Sequence, residues 1–416
     1  MPHPGIVYDV GLNFTNTTPQ TLSIPTFNPT HVAHDMHTIA ETLHATAVRL
    51  EGEPLDRLAT AARLAHAAGL TVYFNPWKMH ADVPETSRYL RAAAKVAEQL
   101  RVHDGLTDLV FVAGCEYSIF SRGVFPGETF EERAGWFGGQ LAAAAAAAAA
   151  DGGAAADGAT AAATAGGRGD GDASTTTDTT TNSGPAIPPP VLAKAPLLNA
   201  ALRTFMTEIR TRFHGPVTYA AGTWEAVDWD LFDLVGVDYY RRGETASEYL
   251  AGLERHRVVD SDPNSNNKQK HKPLVVMEVG CCAYEGAAVR GDGGFALLKG
   301  RNPDGSGVFE GDIVPTRSER EQADYLETQL GLLARAEAQV DAVFVYVFAF
   351  PCMPAGVGAR DFDMMCFSLV KYLPEEEKGH QEENPVGMPR WVPKEAFFRV
   401  AECFRAMREK SQLGVK

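Results

Sequence analysis

Two glutamates stand where an acid is costly unless it serves a purpose. Glu116 follows the strongly apolar stretch LVFVAGC (109–115), and Glu278 follows LVVM (274–277). Acids seldom sit next to such stretches without a partner. For either one alone, the plain alternative is a buried acid held by an arginine or by backbone amides. The pair is more specific. Cleavage of a glycosidic bond with retention needs two carboxyls about 5 Å apart. One is held protonated to donate to the leaving oxygen, and the other is ionised to attack the anomeric carbon.

Other side chains close neighbouring apolar runs and are candidates for holding a ligand. Arg49 ends the run at 46–50, and Asn75 and Trp77 follow 70–74. Asn75 suits a hydroxyl contact, while Trp77 offers a stacking face or plain packing. Asp238, Tyr239 and Tyr240 end 234–240, and alternation lets only one of the two tyrosines point inward. Asp9 and Asn13, with Asp238, would line the pocket floor or bond within the barrel. Trp224 and Glu225 follow 216–221 as a candidate subsite wall. Asp361 and Asp363 are candidate hydroxyl acceptors, with a solvated loop as the alternative. Cys115, Cys281 and Cys282 raise the question of zinc, but no CxxC or HxxxH spacing supports it, and packing thiols are the better reading. The chemistry calls for no metal and no organic cofactor. No GxSxG elbow points to a serine hydrolase, and no GxGxxG or GxxxxGK follows a strand.

The elements that must position these residues alternate between short apolar runs and helical patterns. Strands are expected at 5–14, 46–50, 70–74, 108–113, 216–221, 234–240, 274–279 and 342–350. Helices are expected near 31–43, 54–68, 85–101, from 128, at 195–213, 245–256, 317–338 and 394–410. Thr316 or Ser318 is the expected cap of the helix beginning at 317. Segments 259–272 and 286–312 read as loops. Eight strands with intervening helices predict a single α/β (β/α)8 barrel spanning 1–416, with a doubly wound open sheet as runner-up. Residues 141–190 are almost entirely Ala, Gly, Thr, Asp, Ser and Pro. That stretch is expected to be a disordered insertion between the fourth and fifth strands, its alanine-rich start extending the preceding helix.

The formal net charge of −15 over 416 residues argues against nucleic-acid and anionic-membrane partners. The N-terminus MPHPGIVYDVG has neither a basic n-region nor an apolar h-region, and no run is long enough to span a bilayer. With six cysteines and no export signal, the expectation is a cytoplasmic protein with free thiols.

A barrel with glutamates ending its fourth and seventh strands resembles the clan A glycoside hydrolases. By that resemblance Glu116 is the acid/base, Glu278 the nucleophile, and the partner a carbohydrate or glycoside. Met277-Glu278-Val279-Gly280 is similar to the clan's nucleophile strand. The resemblance further implies that Arg49 lies beneath the nucleophile and pairs with its charge, and that a tyrosine from 239–240 hydrogen-bonds it. Two positions depart from the pattern. Cys115 stands where the clan places an asparagine, and Phe350 ends strand eight where many members have a tryptophan. Segments such as GCEYSIFSRGVFPGETFEER and VDWDLFDLVGVDYYR also resemble an actinobacterial and fungal family labelled abortive infection, or phage-resistance, protein. That likeness implies a rival: a catalytically silent barrel serving carbohydrate binding or phage defence. A barrel hydrolase using the same acids on another bond is a second rival.

Overall fold

The computed structural model describes residues 2–14, 21–161, 187–259, 271–335, 338–373 and 391–414, with the backbone alone over 150–161. Strand β1 (His3–Asp9) leads to α1 (Pro29–His37), β2 (Ala47–Gly52), α2 (Leu55–Ala67), β3 (Thr71–Pro76) and α3 (Val83–His103). Then come β4 (Val110–Cys115), the one-turn α4 (Tyr117–Phe120), α5 (Phe130–Ala161), α6 (Pro189–Leu192), α7 (Ala195–Arg210), β5 (Val217–Gly222) and β6 (Val235–Asp238). Helix α8 (Ala246–Glu254), β7 (Leu274–Val279), β8 (Leu298–Arg301), β9 (Gly307–Phe309) and α9 (Glu319–Leu333) follow. The chain continues through β10 (Ala342–Val345), β11 (Val370–Tyr372), β12 (Trp391–Pro393) and α10 (Glu395–Gln412).

Eight strands close into a barrel in the order β1-β10-β7-β6-β5-β4-β3-β2. The expected (β/α)8 architecture is therefore the observed one. Helices cover it because their apolar residues recur at helical spacing. In α7, Leu198, Leu202, Phe205 and Ile209 form one buried stripe. Each such side chain contributes about 1.5–3 kcal/mol by leaving water. Ser318 caps α9, its side chain accepting from the Glu321 amide.

Alternation along the strands separates two cores. Val7, Ala47, Tyr73, Val112, Ala220, Val275, Met277 and Phe344 fill the barrel interior. Ile6, Val48, Val72, Phe111 and Val276 face the helices instead. Gly236 faces inward on β6, where a Cβ would come within 2.3 Å of the Tyr219 carbonyl oxygen; the interior has no room for a side chain there.

Two interruptions of this alternation matter for function. Between Val112 and Cys115, β4 has one more residue than its partner β5. Between Val276 and Val279, β7 likewise outruns β10, and Asp238 of β6 pairs with Glu278 where strict register would give Met277. Such bulges re-aim side chains. Strict alternation from inward Met277 would turn Glu278 toward the helices. The bulge turns it to the barrel mouth.

Several expected boundaries move. The first strand ends at Asp9 rather than Phe14, because the Asp9 carboxylate accepts from Gly11 N at 2.6 Å and bends the chain. The run at 342–350 is a strand only to Val345. Beyond it Val347 N donates to Phe367 O and Phe348 N to Val7 O, so the rest is a buried loop. The alanine-rich start of 141–190, expected to extend the preceding helix, does so: α5 runs on to Ala161, alanine having the highest helix propensity. Residues 187–190 are likewise ordered and open α6. The rest of that expectation, 162–186, lies outside the described residues, as does 260–270 of the expected loop at 259–272. The expected loop at 286–312 contains the antiparallel hairpin β8–β9. No helix among the described residues is long and apolar enough to cross a membrane.

Candidate active site

The centre of the barrel mouth is Arg49, fully buried on β2. Its Nε donates to Asn75 Oδ1 at 2.8 Å, and its Nη1 to Glu278 Oε1 at 2.9 Å and the Met277 carbonyl at 3.1 Å. Glu51 lies 3.3 Å and Asp238 3.7 Å from the same guanidinium. One cation thus serves three buried carboxyls. Burial pushes the Glu51 and Asp238 carboxyls well above the usual range, Arg49 opposing it in both cases. These two therefore tend to hold protons.

Glu278 receives a donor on each oxygen. Arg49 reaches Oε1, and Tyr240 donates its hydroxyl to Oε2 at 2.8 Å. Cys115 adds a weak S–H donor, 3.7 Å from Glu278 Oε1 and 3.5 Å from Asp238 Oδ2. A donor on each oxygen fixes the orientation of this carboxyl.

Glu116 is the opposite case. Its carboxyl makes no hydrogen bond to any described residue, and it is half-buried at the end of β4. Burial, then the charges of Asp238, Glu278, Glu225 and Asp292, push its pKa well above the usual carboxylate range. Its backbone sits in the left-handed region, at φ 41° and ψ 47°, which disfavours a non-glycine residue. Three successive amides hold it there. Glu116 N donates to Ala220 O at 2.9 Å, Tyr117 N to the Tyr219 hydroxyl at 2.6 Å, and Ser118 N to Glu225 Oε1 at 3.0 Å. Glu225 Oε2 in turn accepts from the Tyr219 hydroxyl and Gly222 N. Strand β5 and the turn after it are the brace that presents Glu116.

Glu225 therefore positions Glu116 and helps keep it protonated. If Glu116 serves as a catalytic acid, Glu225→Gln is expected to lower kcat by up to about 100-fold, the scale of a roughly 1 Å misplacement. It should also move the basic limb of the kcat/KM profile to lower pH, because one negative charge acting on Glu116 is removed. An unmoved limb would show that Glu225 does not act on the acid.

The other expected residues divide. Asn75 and Asp238 join the Arg49 cluster, and Asn75 Nδ2, Asp238 Oδ1 and Trp77 Nε1 are buried with no hydrogen-bond partner among the described residues. Trp77 packs edge-on to Phe120, on top of the interior core. Asp9 shares the inward parity of Val7, but its Oδ1 is taken by the Gly11 amide, and burial raises its pKa to about 6. Tyr239 is not in the pocket. Its hydroxyl donates to the Tyr249 carbonyl and its ring packs on α8, because neighbouring strand residues face opposite ways. Trp224 lies against Phe137 and donates to Ser118 Oγ, so its contacts brace the turn after Glu116. Asp361 and Asp363 are not hydroxyl acceptors: both pair with Arg317, and Asp363 also with buried Lys394, in a separate ion network.

Two residues at the mouth were not expected. Glu51 carries the signal that marked the other acids, an acid closing an apolar run. Tyr346, not Phe350, is the ring that follows the eighth barrel strand, and its hydroxyl acts on Glu51; the unbroken apolar run concealed it. Among the described residues, Cys115, Asp238 and Glu278 are the group whose ligand atoms, all within 4.8 Å of one another, could hold a metal ion. Arg49 already supplies positive charge between two of them. Cys281 and Cys282 are fully buried packing residues.

No family model matches the chain and no curated protein does, so the abortive-infection label finds no support. Solved structures of similar course are glycoside hydrolases. One is a GH113 β-mannanase from Alicyclobacillus acidocaldarius in complex with ManMIm, 15% identical over 97% of each chain, with TM-score 0.48. Another is a family 1 β-glucosidase from Thermotoga maritima, 9% identical over 97% of each chain, TM-score 0.48. A β-glucuronidase from Ruminococcus gnavus is 12% identical over 97% of this chain and 49% of that one, TM-score 0.44. At these scores the likeness decides nothing about substrate or mechanism; the barrel rests on the strand register.

Proposed function

We propose that this chain is a retaining glycoside hydrolase acting on a carbohydrate or glycoside, with Glu278 as nucleophile and Glu116 as acid/base. One observation carries the reading: two carboxyls at one barrel mouth stand in opposite surroundings. Glu278 is fastened on both oxygens by Arg49 and Tyr240, while Glu116 is left unbonded with its pKa pushed up. In the first step Glu278 attacks the anomeric carbon as Glu116 gives its proton to the leaving oxygen. In the second, Glu116, now a base, takes a proton from the water that releases the sugar. Arg49 steadies the charge on Glu278 before attack. Asn75 Nδ2 and Trp77 Nε1 as donors, and Asp238 Oδ1 as acceptor, make no hydrogen bond among the described residues and would meet substrate hydroxyls.

The test is turnover of a panel of aryl glycosides. Glu116→Gln is expected to lower kcat/KM by about 10²–10⁴. It should spare substrates with very acidic leaving phenols most, because these need no proton. It should also abolish the basic limb of the pH profile. Wild-type activity in this variant excludes Glu116 as the acid.

The second reading is a silent barrel that binds sugar without cleaving it. Cys115, a weak donor beside the nucleophile, favours it. Retention of a sugar by wild type with no turnover across the panel would select that reading.

A further inference from the structure

Two acids at the barrel mouth, Asp9 and Glu51, neither attack nor protonate a leaving group in the proposed reaction. They stand level with Asn75 on three adjacent strands: Asp9 of β1 is paired with Glu51 of β2, and Glu51 with Asn75 of β3. Each lies an even number of residues beyond an interior residue of its own strand, Val7, Ala47 and Tyr73, so all three side chains point into the barrel. Neighbouring strands run about 4.8 Å apart, which puts level side chains within reach of one small group. All three are buried.

Their polar atoms are only partly engaged. Asp9 Oδ1 accepts from Gly11 N, and Asn75 Oδ1 from Arg49 Nε. Asp9 Oδ2, both Glu51 oxygens and Asn75 Nδ2 make no hydrogen bond to any described residue. Arg49 Nη2, at 3.3 Å, and the Tyr346 hydroxyl lie beside Glu51, neither aligned to donate to it. Two further cations follow β2 and β3, and both are engaged. Arg57, whose charge reaches Asp9, is bonded to the carbonyls of Val10, Ile24 and Pro25. Lys78 is paired with Glu53 and Glu85. Buried polar atoms are nearly always partnered, so three acceptors and one donor in one layer ask for a ligand group that donates beside one that accepts.

We propose that Glu51 and Asp9 bind a protonated amino group on the sugar held at Glu278, so that the substrate is an amino sugar with its nitrogen unacylated. This rests on the glycosidase reading. An ammonium offers three N–H donors to the three open carboxyl oxygens, where a hydroxyl offers one. Asn75 Nδ2 serves a hydroxyl beside it, which matches an amine and a hydroxyl on neighbouring carbons. The spacing suits one ring. Arg49 bonds Glu278 through Nη1 and faces Glu51 through Nη2, so the two carboxyls stand one guanidinium apart and a single sugar can touch both. The charges also favour a cation. Arg49 is shared among Glu51, Asp238 and Glu278, and a ligand ammonium gives Glu51 a counter-charge of its own. Bonds between charged partners are about twice as strong as neutral ones.

The test is calorimetric titration at about pH 6, where a sugar amine is protonated. The ligands are both anomers of the methyl glycosides of glucose, galactose and mannose, each compared with forms in which one hydroxyl is replaced by an amino or an acetamido group. For at least one pair, wild type is expected to bind the amino form about ten-fold or more tightly than its parent, and N-acetylation should remove the gain. In Glu51→Gln the gain should fall below about three-fold. Asp9→Asn, expected to act in the same direction, decides the matter if Glu51→Gln does not fold. Amino forms no tighter than their parents in every pair overturn the proposal. A gain that survives in Glu51→Gln also overturns it and marks general attraction to a chain of net charge −15. Methylammonium bound as tightly as the amino sugar overturns it too, as a site for free amines. Binding needs no turnover. A gain that depends on Glu51, in a chain inactive on every aryl glycoside including the amino forms, would sink the glycosidase reading and leave the amino-sugar site standing.

Discussion

Glu278→Gln is expected to lower kcat/KM for the best aryl glycoside by on the order of 10⁵, with no rescue at any pH. Removing a covalent nucleophile costs about this much because the two-step route closes. Glutamine keeps the shape; its oxygen still accepts from Arg49, and the Tyr240 hydroxyl can turn to accept from the amide nitrogen that replaces the second oxygen, so the barrel mouth should stay assembled. What disappears is the charge that attacks the anomeric carbon. The loss should be the same for substrates with good and poor leaving groups, unlike the loss in Glu116→Gln, because attack is needed for both. The readout is steady-state turnover of wild type and variant over pH 4–9. Activity within about ten-fold of wild type would mean that some other group attacks.

Arg49→Met is expected to be the most destabilising single change at the site. Arg49 is fully buried and touches Asn75, the Met277 carbonyl and three carboxyls. Taking the cation away leaves buried acids without their partner, a loss of about 3–5 kcal/mol. The sign with pH follows from the acids. Arg49 opposes the upward shift of Glu51 and Asp238, so its loss raises both carboxyls further. The extra penalty therefore grows with pH between the folded pKa values of wild type and variant, and the variant should be least impaired at low pH, where both proteins hold these protons. Denaturant midpoints at pH 5 and pH 8 measure this. A loss independent of pH would show that Arg49 acts as a packing residue and not as the counter-charge of this cluster.

Much of the site was legible because barrels keep chemistry at the C-terminal strand ends, and a polar residue closing an apolar run is visible in one dimension. That rule pointed to Arg49, Asn75, Glu116, Asp238, Glu278 and one of Tyr239 and Tyr240 from the sequence alone. It failed where local geometry departs from strict alternation. The bulges in β4 and β7 turn Cys115 and Glu278 inward, and nothing in LVFVAGC or LVVMEV announces an extra residue. Alternation showed that one of Tyr239 and Tyr240 must point out, but the hydrogen bond to α8 decides which. Tyr346 was hidden in a run that reads as uninterrupted strand through Phe350, and Glu51 by closing the second run one residue early. Asp361 and Asp363 depend on Arg317, a pairing that only tertiary structure makes.

The brace behind Glu116 was the least visible feature. Ser118 is far along the chain from its partner Glu225, the Ser118–Glu225 bond spanning 107 residues, while Tyr219 and Glu225 are only 6 apart. Sequence proximity suggested a wall from Trp224 and Glu225. The structure uses both to hold the turn after β4.

The most direct measurement of the central claim is mass spectrometry of the chain after incubation with a 2-deoxy-2-fluoro glycoside that carries an activated leaving group. A carboxylate nucleophile should take up one fluoroglycosyl group per chain, mapped to the peptide bearing Glu278 and absent in Glu278→Gln. A label on any other residue, or turnover that yields the inverted sugar with no label at all, would contradict the account.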